Sequence, residues 1–135
     1  MTPEIIITGS FTLISGIIGG LIAIYAALIS IKRQEFYRLR GLFKTALFDN
    51  IAKIKEESGH PARIVMDNPI VDNLAISVIA ICPIWKRKKL QSKWNEYRYD
   101  KNIQEMIPNE YTSKGVYNSK KLIEERLHNL ISLLN

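Results

Sequence analysis

The chain has 135 residues and carries 19 Lys and Arg against 13 Asp and Glu, a net charge of +6. That length holds one ordinary domain and no more. A single cysteine, Cys82, excludes an internal disulfide, no zinc-type spacing surrounds it, and a lone thiol fits a reducing compartment.

The apolar residues are unevenly spread. No residue from Ile5 to Ile31 is charged, a run of 27. About 18 such residues already read as a membrane span, and at about 1.5 Å per residue this run reaches about 40 Å against a ~30 Å hydrocarbon core. It spans with tilt, or leaves a turn in each interface. As a buried core helix it would need more protein around it than a chain of this size supplies. Thr2 as N-cap, Pro3 at the first helical position and Glu4 at the positive end of the dipole predict where the helix starts.

Within the run, "TGSFTLISGIIGG" (Thr8 to Gly20) nearly spells the opening of a type IV prepilin. The residues before Gly9 include Glu4 and no Lys or Arg. Ser10 separates the glycine from Phe11, and Ser15 stands where a pilin has its glutamate. The segment therefore reads as a plain anchor. A secretory signal also fits poorly, because the basic n-region is missing and the apolar run is too long.

Lys32, Arg33, Arg38, Arg40 and Lys44 follow the run, opposed only by Glu35. The positive-inside rule puts the C-terminal part in the cytoplasm and the N-terminus on the other side. Gly9, Thr12, Gly16, Gly20, Ala23, Ala27 and Ser30 recur at steps of three and four. A full-length stripe of small residues lets a second transmembrane helix approach closely, although a lone G-x-x-x-G is weak because small residues are common in such helices.

Phe36, Leu39, Phe43, Leu47, Ile51 and Ile54 continue at helical spacing, so the anchor helix is expected to run on as an amphipathic helix to about Glu57. Gly59 is expected as a left-handed cap, with Pro61 blocking continuation. Asn68 and Pro69 form a second N-cap and first-turn pair. Val71, Leu74, Ala75, Val78, Ile79 and Cys82 then make a helical stripe, a strand being the alternative for so β-branched a segment. Pro83 ends or kinks that helix. In "KRKKLQSKWNEYRYDK", Leu90, Trp94 and Tyr97 share one face. Residues 102–118 read mostly as loop. Leu122, Ile123, Leu127, Leu130, Ile131 and Leu134 define a last helix capped by Asn118 or Ser119.

No constellation for chemistry emerges. Cys82 lies in the most apolar cytoplasmic segment, where a thiol is inert packing. His60 falls in a turn, and His128 sits near a helix C-terminus, where positive charge is favoured. Glu56-Glu57 and Glu124-Glu125 are adjacent pairs that diverge on a helix. The expectation is a protein that is not an enzyme and needs no cofactor or metal.

The basic segment from Lys86 to Lys101 carries seven basic residues against Glu96 and Asp100. A solvated helix face explains it most simply. Contact of Lys86, Arg87, Lys88, Lys89 and Lys93 with anionic lipid headgroups is the second reading. Nucleic acid is the third and weakest, since Trp94 and Tyr97 share the face of Leu90 and are explained by core packing.

The order "FKTALFDNI", "DNLAISVI", "KRKKLQSKWNEY" and a Leu/Ile-rich last helix resembles a loose group of uncharacterised small bacterial membrane-anchored helical proteins. The resemblance covers Phe43 to Leu134 and implies a helical fold and nothing catalytic.

The expected fold is therefore all-α. An N-terminal transmembrane anchor (1–33) continues into a small cytoplasmic antiparallel bundle of three to four helices (34–135). The expected location is the inner membrane, single-pass, with lipid and either a second copy or another membrane protein as partners. The expected role is that of an adaptor or accessory subunit; the alternative is a small self-assembling pore-forming or lysis-type protein.

Overall fold

The computed structural model describes the backbone of residues 3–135 and the side chains of residues 14–135. The cap expected at Thr2, and the side chains of Pro3 and Glu4, lie outside the described residues. Among the described residues every regular element is a helix: α1 (Pro3–Glu56), α2 (Ala62–Met66), α3 (Pro69–Ile81), α4 (Ile84–Arg98), α5 (Glu110–Ser113) and α6 (Val116–Leu133). The chain divides into two compact units, residues 1–35 and residues 36–135.

In the first unit α1 is long and apolar enough to cross a membrane, and none of its described apolar window is buried by protein. Ile17, Leu21, Ile24 and Leu28 are each more than half exposed. A helix satisfies its own backbone hydrogen bonds, so apolar side chains all round suit hydrocarbon and not water.

The second unit is built on the remainder of α1, where Phe43, Leu47, Ile51 and Ile54 are buried at steps of three and four. Phe36 and Leu39 pack against the same core at its edge. The helix stops at Glu56, but not through the left-handed glycine expected at Gly59. No described glycine has positive φ. The Glu57 carboxylate instead accepts the Gly59 N–H at 3.0 Å, and Ile64 donates to the Pro61 carbonyl at 3.0 Å to open α2. This one-turn helix lies in a stretch without periodicity to announce it. It buries Ala62 and Val65.

Asn68 caps α3 as its position predicts, its side chain accepting the Val71 N–H at 3.3 Å. Val71, Ala75, Val78 and Ile79 are the buried face of α3, which is helical and not a strand. Pro83 stops α3 and supplies the first carbonyl of α4 at once, accepting the Arg87 N–H at 3.0 Å. Leu90, Trp94 and Tyr97 are the buried face of α4. Stretch 102–118 is mostly non-helical, as expected, but the short α5 forms within it and α6 begins at Val116 with Gly115 as N-cap. Ser119 is therefore not a cap. It is fully buried inside α6, and its hydroxyl donates to the carbonyls of Tyr111 at 3.0 Å and Lys114 at 3.1 Å.

Successive long helices of this unit reverse direction. Asp72 pairs with Arg98 and Ile79 with Arg87, so α4 runs back along α3. Arg126 reaches Glu96, and Lys120 reaches the Glu57 carbonyl while Asn135 meets Lys44, so α6 runs back along both α4 and α1. One end of the unit therefore gathers the Phe36 turn, the Pro83 corner and the C-terminus of α6, which surround a common depression of about 220 Å³.

Candidate functional site

Three surfaces and one buried network hold the candidate residues. The first surface is the small-residue stripe of α1. Gly16, Gly20, Ala23, Ala27 and Ser30 are all exposed; Gly9 and Thr12 lie outside the residues whose side chains are described. A Cβ placed on Gly16, Gly19 or Gly20 would meet nothing within 4 Å. Among the described residues, no side chain fills the notch.

The second surface is the basic start of α4, where like charges have unlike surroundings. The Arg87 guanidinium donates to the carbonyls of Ile79 at 3.1 Å, Ala80 at 2.9 Å and Cys82 at 3.3 Å. It closes the C-terminal end of α3, where three carbonyls lack intrahelical partners and the dipole is negative. Lys93 is paired with Glu96 at 3.4 Å. The ammonium groups of Lys86, Lys88 and Lys89 have no partner among the described residues and are exposed. Beside them stand Ile84 and Trp85, 79% and 80% exposed. Trp85 precedes Leu90 by five positions, roughly 140° around the helix, so it turns away from the core face.

The third surface is a wide polar depression of about 1080 Å³ beside the α4 C-terminus, lined by residues such as Gln91, Asn95, Arg98, Asp100 and Glu105. At its edge, Asp100 accepts the N–H groups of Asn102 at 2.8 Å, Ile103 at 3.2 Å and Asn109 at 2.9 Å. The Asn109 and Asn102 amides hold its carboxyl below the usual carboxylate range. The carboxylate is thereby committed to shaping its own loop.

The buried network joins the helices. Asn50 is 1% exposed; its amide donates to the Tyr97 hydroxyl at 3.5 Å and its carbonyl accepts from Asn68 at 2.7 Å. The Tyr111 hydroxyl donates to the Tyr97 carbonyl at 2.6 Å. Arg126 reaches the Glu96 carbonyl at 2.8 Å, the Tyr111 hydroxyl at 3.3 Å and Glu110 at 2.5 Å. Burial pushes the Tyr111 phenol up to about 12 and raises that of Tyr97 as well. Burial opposes the Arg126 cation, but its contacts with Tyr111 and Glu110 outweigh that and keep its pKa raised. Every buried side-chain polar atom described has a partner. Satisfied groups of this kind specify packing and offer no lone pair to a substrate.

Cys82 is 2% exposed and donates to the Ile79 carbonyl at 3.4 Å. His60 and His128 are exposed, and His60 accepts the Ala62 N–H at 3.4 Å. Among the described residues no three His, Cys, Asp or Glu side chains gather as a metal site. Sequence reasoning missed Asn50 and Arg126, which look like solvated helix positions, and passed over Trp85, whose neighbours Pro83 and Lys86 mark a helix start. No family model, curated protein or solved structure matches the chain.

Proposed function

We propose that this is a single-pass, membrane-anchored helical interaction protein, an adaptor or accessory subunit of the inner membrane. In this reading residues 34–135 lie in the cytoplasm, the side that the basic residues after the span favour, and the chain sides with the small bacterial anchored proteins it resembles. The supporting observation is the open notch at Gly16 and Gly20, where, the helix's own neighbouring backbone aside, no described atom lies within 4 Å of an added Cβ. In hydrocarbon, close backbone approach at such notches, and not hydrophobicity, draws helices together.

The test is gentle detergent extraction of the tagged full chain, with mass spectrometry of intact complexes, beside the Gly16→Leu/Gly20→Leu variant. A defined partner recovered with wild type and lost with the variant supports the reading. Equal recovery from both overturns assembly through the stripe. A homo-oligomer with no second protein moves the reading to the self-assembling pore. The span carries no charged residue, so such a pore would be lined weakly, by Thr, Ser and Gly only, and bilayer conductance checks it.

A further inference from the structure

The exposed lysines and the exposed tryptophan at the start of α4 occupy one end of the helical unit, and chain connectivity fixes which end. Trp85, Lys86 and Lys89 line the same depression as Phe36. Phe36 lies five residues past Ile31, the last residue of the charge-free run. Even fully extended, five residues cover at most about 18 Å. The polar headgroup layer itself is about 5–8 Å deep on each side of the hydrocarbon. Wherever the two units lie, a span in the bilayer keeps the Phe36 end of the bundle within reach of the headgroups.

We propose that Ile84, Trp85, Lys86, Lys88 and Lys89 form an interfacial foot that seats this end of the bundle on the anionic lipid surface of the membrane holding the span. This rests on the anchored reading above. Two independent features select lipid as the occupant. Ile84 and Trp85 are the most exposed large apolar side chains described, 79% and 80%, and an indole favours the boundary where its ring is in hydrocarbon and its N–H is wet. The three neighbouring ammonium groups have no acidic partner among the described residues, which leaves their charge open to an anionic surface, and long lysine stems extend to reach phosphates beside a buried ring. Arg87 is not part of the foot. Its guanidinium holds α3 and α4 together at the Pro83 corner, and so keeps the foot rigid.

The foot is tested with the full chain in phosphatidylcholine vesicles, with and without phosphatidylglycerol, using brominated lipid as quencher. Trp94 is buried and Trp85 exposed. Subtracting the emission of Trp85→Phe from that of wild type isolates Trp85 without disturbing the core. The expected result is blue-shifted Trp85 emission, quenched several-fold more in phosphatidylglycerol vesicles. A Lys86→Glu/Lys88→Glu/Lys89→Glu variant loses that gain while melting as wild type does. Water-like, unquenched Trp85 emission in vesicles that retain the protein through an alkaline wash overturns the foot alone. Equal quenching in both lipids overturns its preference for anionic surfaces. Release of the protein by the wash overturns the anchored reading, and the foot with it.

Discussion

The Asn50 amide faces the Tyr97 hydroxyl at 3.5 Å and ties α1 to α4 through the middle of an apolar core. The carbonyl of the same side chain accepts from Asn68, whose own carbonyl caps α3. Three helices thus share one amide. Asn50→Ala strands the Tyr97 hydroxyl and loosens the α3 cap. Leaving a buried polar group unpaired costs about 1–3 kcal/mol, so the melting temperature of the full chain in micelles should fall by several degrees. No change in melting would show that the network contributes nothing to stability.

Arg87 and Lys88 are neighbours with equal charge and opposite predictions. Arg87→Ala removes donors from three carbonyls at the end of α3 and is expected to cost about 1 kcal/mol. Arg87→Lys should not restore it, because a point ammonium does not span three carbonyls as a planar fork does. Lys88→Ala should stay within about 0.5 kcal/mol of wild type. Amide exchange at Ala80 and Cys82 distinguishes fraying of this corner from a general loss.

Gly41 lies inside α1, and a Cβ there would meet nothing within 4 Å. Its φ is not positive, so an alanine fits without strain. Gly41→Ala should stabilise the helix by about 0.5–1 kcal/mol through reduced freedom of the unfolded chain. Denaturant titration of both forms checks the sign.

Asp100 gives the pH dependence. Its pKa is lowered in the folded chain by the Asn109 and Asn102 amides, so the unfolded chain binds its proton more readily. The stability it contributes is complete above the ordinary aspartate pKa of about 3.9. It is lost as pH falls below that value and through the lower folded pKa. Exchange protection of the Asn102 and Asn109 amides should hold at neutral pH and fall away below about pH 4. Asp100→Asn should flatten that profile, and an unchanged profile would assign the loop's order to other contacts.

At the basic limb the sign reverses. Tyr111 titrates near 12 because burial resists its anion. Its contribution is complete below the free phenol pKa of about 10 and fades as pH rises through the folded value. Tyr111→Phe should reduce stability at neutral pH and weaken its decline above pH ~10, as read by melting in micelles.

Where apolar spacing carries the information, the sequence predicts the fold closely. The steps through Phe43, Leu47, Ile51 and Ile54, through Val71 to Cys82 with Leu74 only partly buried, and through Leu90, Trp94 and Tyr97 become buried faces. Asn68 and Pro69 mark a helix start because capping chemistry is local. The failures are equally physical. Ser119 has the composition of a cap, but a backbone eight residues away claims its hydroxyl. Gly59 has the freedom for a left-handed turn, yet the Glu57 side chain satisfies its N–H without one. Arg87 and Lys86 read alike in a charge count, and only the direction in which α3 ends separates them. Asn50 shows no signal at all, since its partners Tyr97 and Asn68 are distant in sequence.

The burial of Cys82 gives the molecule a clock. The one thiol sits at the C-cap of α3, beneath the corner that Arg87 fastens, at 2% exposure. Cys82 also lines the depression beside Trp85, but at 2% exposure it is nearly closed to a thiol reagent while that corner stays shut. Where labelling outpaces reclosing, the labelling rate of native protein counts openings of the α3–α4 corner. Any surface that grips this end from outside, bilayer or protein, will make the clock run slow.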